Sequence, residues 1–94
     1  MRSSGQAAFR EVADALQAHL KTGQILAEKS RLVKSNQMVA RVASDRFTGG
    51  ASSYLEVLDV ERSLFNSELT LADARRDRLL SVVQAYRALG GGWK

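Results

Sequence analysis

The stretch 46-RFTGGASSYLE-56 decides the fold of this chain. A glycine can adopt the left-handed conformation that closes a helix C-terminus, so Gly49 predicts the end of one helix and Gly50 loosens the turn. Ser53 and Glu56 have the spacing of a capping box, in which the serine hydroxyl accepts from the Glu56 amide and the glutamate reaches back to the serine amide. Two helices joined by so short a turn must lie antiparallel.

Upstream of the turn, the sequence allows one long helix. Residues 6–47 contain no proline, and their only glycine is Gly23. A weak capping box at residues 3–6 predicts that this helix begins near residue 6. Two neighbouring heptad series follow Gly23 and make an apolar stripe wide enough to touch two helices. The first series is Ile25, Leu32 and Val39, and the second is Leu26, Val33, Ala40 and Phe47.

Downstream of the turn, heptads return over residues 53–89. The series Leu58, Phe65, Ala72, Leu79 and Tyr86 contains two aromatic residues and is the predicted main seam between the helices. A second series consists of Val57, Leu64 and Leu71. The glycines at 90–92 predict the end of this helix.

The predicted fold class is therefore all-α, a long antiparallel two-helix coiled-coil hairpin. It comprises a helix over about 6–47, a turn at 48–52, a helix over about 53–89 and a glycine-rich tail at 90–94, all in one domain spanning residues 1–94. The composition agrees, because a chain with 45% hydrophobic residues, 26% charged residues and no proline suits uninterrupted amphipathic helices.

The net charge of +4 raises the question of a nucleic-acid partner. Residues 1–48 hold eight basic and four acidic side chains, whereas residues 49–94 hold six of each. A mild excess spread along a helix usually forms a solvated face, so no nucleic acid is expected. The alternative hypothesis is a stand-alone coiled-coil interaction module, nucleic-acid-associated through its basic first helix.

Residue types that carry chemistry are sparse. The chain has a single histidine, His19, around which no serine triad can be argued, and it has no cysteine, which excludes a cysteine metal cluster. His19 is expected to be an exposed or partly packed helical residue. The charges in 75-RRDR-78 point in different directions around a helix and do not form one phosphate-binding patch. We therefore predict no enzyme, no catalytic residue, no metal site and no cofactor.

Three segments carry a family resemblance. Residues 46–65, RFTGGASSYLEVLDVERSLF, look like the tip segment of TolC/OprM-type outer-membrane efflux proteins, whose core is an aromatic residue, a glycine, a short polar stretch and Leu-[Asp/Glu]-Val-Leu-Asp. Residues 86–93, YRALGGGW, are similar to the ending of the lipoprotein branch of that family, and residues 9–16, FREVADAL, resemble the start of the matching helix. The resemblance covers nearly the whole chain and identifies it as the C-terminal periplasmic hairpin.

The resemblance implies part of the α-helical tunnel of a trimeric outer-membrane channel, through which drugs, metals or other solutes leave the cell. The implied partners are a periplasmic adaptor (membrane fusion) protein and an inner-membrane pump, and the implied location is the periplasmic face of the outer membrane. The expected adaptor-facing entrance tip consists of Phe47, Thr48, Gly49, Gly50, Ala51, Ser52 and Ser53, with Glu56 and Asp59 as acidic entrance positions.

Two features depart from the family pattern. Some members close the entrance with a tyrosine hydroxyl and an arginine, but the matching positions here are Phe47 and Ser52, which have no hydroxyl and no charge respectively. That latch is therefore not carried over. The chain itself also shows no apolar run of signal-peptide or membrane-spanning length, so neither an export signal nor a span is expected within it.

Overall fold

Two helices account for most of the molecule. The computed structural model describes the backbone of residues 2–90 and the side chains of residues 7–90. Helix α1 spans Arg2–Thr48, and helix α2 spans Tyr54–Gly90. No strand occurs in that part of the chain. The predicted all-α fold, an antiparallel two-helix hairpin, is confirmed.

The start of α1 differs from the predicted start near residue 6. Helix α1 begins at Arg2, so residues 3–6 lie inside its first turns and do not precede it as a cap. Helix α2 continues through Gly90, whereas the remainder of the predicted tail, residues 91–94, lies outside the described residues.

Internal contacts divide the chain into two units. The turn unit is Ala27–Asp73, which contains the turn and the adjoining halves of both helices. The terminal unit combines the residues up to Leu26 with those from Ala74 onward. Each unit is therefore built from one segment of α1 and one of α2.

The seam between the helices is made mostly of small side chains. In the turn unit its buried members are Val33, Ala43, Val57, Ser67 and Leu71. In the terminal unit they are Ala15, Ala74 and Ser81. Small residues allow two helix backbones to approach closely, but they remove little apolar surface from water. Each unit therefore buries little apolar surface between its two helix segments.

The buried serines are satisfied within their own helix. The Ser67 hydroxyl donates to the Leu64 carbonyl at 2.7 Å, and the Ser81 hydroxyl donates to the Arg78 carbonyl at 2.7 Å. No buried side-chain nitrogen or oxygen among the described residues lacks a partner. The seam therefore accommodates polar atoms without an unpaired group.

The predicted main seam was wrong. Leu79 and Tyr86 are 66% and 78% exposed, and Leu58 and Phe65 of the same series are also exposed. Two neighbouring heptad series point about 100° apart, so only one of them can face the partner helix. The seam uses the series containing Val57 and Leu71, which is adjacent to small residues such as Ser67 that permit close approach.

Large apolar residues lie on the outer faces of both units. In the turn unit they are Leu32, Met38, Val39, Val42, Phe47, Tyr54, Leu55, Leu58, Phe65 and Leu69. In the terminal unit they are Phe9, Leu16, Leu20, Ile25, Leu79, Leu80, Val82, Val83, Tyr86 and Leu89. Across residues 2–90, neither helix has a stretch both long enough and apolar enough to cross a membrane.

Candidate functional site

The turn begins with a backbone motif that closes α1. The Gly50 amide donates to the Phe47 carbonyl at 3.0 Å, and the Ala51 amide donates to the Arg46 carbonyl at 2.7 Å. Gly50 has a φ of 81°. This pair of bonds around a left-handed residue is the Schellman motif, which satisfies carbonyls that the helix end would otherwise leave unpaired.

Only one of the two adjacent glycines is required by backbone geometry. The prediction placed the left-handed residue at Gly49, but Gly50 is the glycine with positive φ. A Cβ on Gly49 would lie 3.5 Å from the Asp45 carbonyl oxygen and 3.8 Å from that of Arg46, both ordinary contacts. Position 49 can therefore carry a side chain, whereas position 50 strains any residue with a Cβ.

Helix α2 begins at half of the predicted capping box. The Glu56 amide donates to Ser53 Oγ at 3.2 Å, and the Val57 amide donates to the Ser53 carbonyl at 3.3 Å. The Glu56 carboxylate does not return to the Ser53 amide as predicted. It lies 3.9 Å from Arg46 Nη1, with both side chains about half exposed, because the arginine across the turn offers it a charged partner.

Two other hydroxyl groups of the turn donate hydrogen bonds to backbone carbonyls of α1. The Thr48 hydroxyl donates to the Ser44 carbonyl at 3.0 Å, one helical turn earlier. The Ser52 hydroxyl, which is partly buried, donates to the Ala43 carbonyl at 3.4 Å and draws the end of the turn toward α1. These two hydroxyl groups therefore contribute to the conformation of the turn.

An exposed aromatic pair flanks the turn. The rings of Phe47 and Tyr54 lie 5.7 Å apart between centroids with an interplanar angle of 49°, a tilted geometry that aromatic pairs favour. Both remain exposed, and Leu55 beside them is 76% exposed. Tyr54 and Leu55 were missing from the predicted tip. Their position in the first turn of α2, immediately after the Ser53 cap, was the available signal.

A shallow apolar groove lies beside the turn. It has a volume of about 310 Å³. Its lining residues all belong to the turn unit and are Met38, Val39, Val42, Ala43, Arg46, Glu56 and Val60. The ion pair between Arg46 and Glu56 therefore borders an otherwise apolar surface.

The predicted acidic positions differ in their surroundings. Glu56 pairs with Arg46, whereas Asp59, one turn further along α2, is exposed and makes no ion pair within residues 7–90. No group of three or more metal-ligating side chains occurs in the same range. Of the two acidic positions, Asp59 is the one whose carboxylate has no ion-pair partner among the residues with described side chains.

The described part of the chain thus combines a turn with a fixed backbone and large apolar residues on the outer faces of both helices. The chain belongs to the outer membrane efflux protein family, which it matches over residues 1–91. The resemblance drawn from the three sequence segments is thereby confirmed. Because this family consists of efflux channels and not of enzymes, the prediction that the chain is not an enzyme is also confirmed.

Individual relatives support the assignment. The chain is 46% identical over 88 residues to the solvent efflux pump outer membrane protein SrpC of Pseudomonas putida, a match covering 94% of this chain and 19% of the relative. It is 43% identical over 89 residues to the cation efflux system protein CusC of Escherichia coli O6:H1, covering 95% and 19%. The probable outer membrane lipoprotein SilC of Salmonella typhimurium is 39% identical over 88 residues, covering 94% and 19%.

The chain thus spans about a fifth of the length of the curated relatives that it matches. No solved structure matches it significantly.

Proposed function

We propose that this chain is a periplasmic hairpin in the tunnel wall of an outer-membrane efflux channel, and that its turn is the tip to which a periplasmic adaptor docks. The observation that supports this proposal most strongly is the distribution of side-chain size, because the seam holds mostly small residues whereas phenylalanine, tyrosine and most leucines lie outside. Large exposed apolar surfaces mark contacts with other chains or helices. A tunnel wall supplies such neighbours on both sides of a hairpin.

The construction of the turn supports docking. Its backbone is fixed by the Schellman motif at Gly50 and by the Ser53 cap, so little conformational freedom is lost when a partner binds. Aromatic residues are enriched at protein interfaces, and the exposed pair of Phe47 and Tyr54 belongs to the same turn unit as the apolar groove. The proposed contact surface is therefore the predicted tip, residues 47–53, extended by Tyr54 and Leu55.

The acidic residues have separate roles in this proposal. Glu56 is held by Arg46 and supports the start of α2, where the helix dipole favours a carboxylate. Asp59 is the acidic side chain that faces the entrance or the partner. The family's tyrosine–arginine latch has no counterpart at Phe47 and Ser52, although Tyr54 brings a phenol hydroxyl to the same turn.

In the complete channel we propose a homotrimer that acts with an adaptor and an inner-membrane pump to export drugs, metals or other solutes. The names of the relatives refer to efflux of solvents, toluene and cations, which supports solute export without selecting one cargo. Membership in a family of outer-membrane proteins favours this function over an independent coiled-coil module.

The two glycines allow a test that separates docking from folding. Gly49→Trp adds bulk at the tip without left-handed strain, because a Cβ at position 49 makes only ordinary contacts. We expect the channel carrying this change to bind its adaptor about tenfold more weakly or worse, a loss of about 1.4 kcal/mol. Adaptor affinity would be measured by biolayer interferometry and helix content by circular dichroism.

Gln24→Trp is the matched control, since residue 24 is exposed on α1 in the terminal unit. It should bind the adaptor like the parent channel. Unchanged binding by Gly49→Trp, with parental helix content, would refute docking at this turn.

A further inference from the structure

A polar cluster crosses the seam of the terminal unit. Arg78 on α2 donates from Nη1 to the His19 carbonyl oxygen at 2.6 Å, and its Nη2 lies 2.9 Å from His19 Nε2. The two polar contacts that Arg78 makes with α1 therefore both involve His19. Within residues 7–90, no carboxylate oxygen lies within 4.0 Å of the Arg78 guanidinium, so these contacts to His19 are its polar contacts with α1.

Gly23 provides the space that the guanidinium occupies. It lies four residues after His19 and hence on the same face of α1. A Cβ built on Gly23 would overlap Arg78 Nη1 and crowd the central carbon of the guanidinium at 3.0 Å. Glycine inside a helix is less favourable than alanine by about 1 kcal/mol. The space taken by the Arg78 guanidinium is therefore a physical reason for a glycine in the interior of α1.

The hydrogen bonds select one form of the imidazole. An arginine can only donate, so His19 Nε2 must accept and the ring must be neutral with its proton on Nδ1. Nδ1 lies 3.4 Å from Ser81 Oγ, a buried hydroxyl that also accepts from Thr22 Oγ1 at 3.1 Å. Ser81 Oγ in turn donates to the Arg78 carbonyl at 2.7 Å.

The rest of this seam does little to fix the alignment of the two helices. Its buried apolar members are Ala15 and Ala74, and small side chains form shallow ridges that resist axial sliding weakly. The partly buried contact between Arg78 and His19 opposes sliding, because a shifted register would separate the two residues, and single polar residues set coiled-coil register in this way.

We propose that His19, Gly23 and Arg78 form a register clasp, in which a glycine slot lets Arg78 bind the carbonyl and the neutral imidazole of His19 and so fixes the pairing of the helices in the terminal unit. This role is separate from docking at the turn. It also makes the Nδ1–H tautomer of His19 a direct signature of the correct register.

The tautomer can be read from the single histidine of the chain. The ¹⁵N-labelled full chain would be studied by long-range ¹H–¹⁵N correlation at about pH 8.5, above the range in which histidine normally titrates. We expect a protonated Nδ1 and an unprotonated Nε2, the reverse of the form that free imidazole side chains favour. A spectrum dominated by Nε2–H would overturn the clasp.

Two variants test the slot. Gly23→Ala displaces the guanidinium without removing it, so it should convert His19 to the Nε2–H form even though alanine favours the helix. Gly49→Ala is the matched control, because a Cβ fits there and the site lies in the turn unit, and it should leave the Nδ1–H signal unchanged. Retention of Nδ1–H in Gly23→Ala would show that the slot is unnecessary.

Register can be measured separately by spin-label distances. The chain contains no cysteine, so Lys21→Cys with Leu80→Cys places two labels at exposed positions of the terminal unit. Dilution with unlabelled chain removes intermolecular distances. We expect one narrow distance in the parent and a second population in Gly23→Ala, displaced along the helix by about 10 Å for a one-heptad slip. A single unchanged distance in Gly23→Ala would refute the register role.

Discussion

The seam between the helices carries mostly small side chains and the outer faces of the same helices carry large apolar ones, which is the reverse of the arrangement in most globular proteins. Alanine and serine are buried in the seam, whereas phenylalanine, tyrosine and most leucines lie outside. The hairpin therefore gains little from its own interior and has most of its apolar surface available to neighbours. Stability of the hairpin and assembly with other chains should consequently depend on different residues, and substitutions can separate them.

The largest expected effect comes from two leucines on α2. Leu71 is 7% exposed in the seam, and Leu69 is 52% exposed on the outer face. We expect Leu71→Ala to lower the free energy of unfolding by about 2 kcal/mol, because it leaves a cavity between the helices. Leu69→Ala should change that free energy by no more than about 0.5 kcal/mol. Urea unfolding followed by circular dichroism would measure both.

The same leucine pair should behave oppositely in self-association. Sedimentation velocity is expected to show weaker association for Leu69→Ala than for the parent, since the change removes exposed apolar surface. Unfolding should be compared at one protein concentration, because association adds to apparent stability. Equal losses of unfolding free energy for the two variants would contradict the separation of seam and outer face.

The second effect is overpacking, tested with two alanines. Ala74 is buried in the seam, whereas Ala72 is exposed. Ala74→Leu should lower the free energy of unfolding by about 1.5 kcal/mol, because the close approach of the helices leaves no room for three more carbons. Ala72→Leu should be nearly neutral in thermal unfolding. If both variants melted at the parental temperature, the seam would have to be looser than the structure shows.

The elements of the fold were predictable, because their signals are local. The absence of proline, the heptad spacing and the glycines before Ser53 predicted two helices and a turn. The choice of seam was not predictable from spacing alone, because two adjacent apolar series were available and the decision depends on the small residues beside each. The most apolar series became the outer face, which suits a helix with neighbours on two sides.

In the candidate site too, local features were predictable from the sequence and contacts between distant residues were not. The Ser53 cap follows from residue types and spacing, whereas the orientation of Glu56 toward Arg46 depends on a residue across the turn. Arg78 belongs to the run 75–78, whose charges point in different directions around the helix. It lies seven residues after Leu71 and continues the seam series, but only the pairing of the helices reveals that Gly23 and His19 lie opposite it.

The third effect contrasts a constrained glycine with a free one. Gly50→Ala should lower the unfolding free energy by about 1 kcal/mol, because an L-residue is disfavoured at the φ of 81°. Gly49→Ala should be neutral or slightly stabilising, because its Cβ meets only ordinary contacts. Chemical unfolding of the two variants would measure the difference, and a larger loss for Gly49→Ala would place the left-handed residue at position 49.

The smallest expected effect concerns the ion pair of Arg46 and Glu56, an outer contact of the turn. The charged atoms are 3.9 Å apart, and the side chains are 55% and 46% exposed. Exposed pairs contribute about 0.2–1 kcal/mol, and salt screens them.

A double-mutant cycle with Arg46→Gln and Glu56→Gln isolates the pair from the separate benefit of a carboxylate at a helix N-terminus. We expect a coupling energy near the lower limit in unfolding measurements at low salt, and none at about 1 M salt. A coupling that persisted at high salt would mean that the turn is held by its charges as well as by its backbone motif, and would make the tip an exception to the rule that outer contacts contribute little to the hairpin itself.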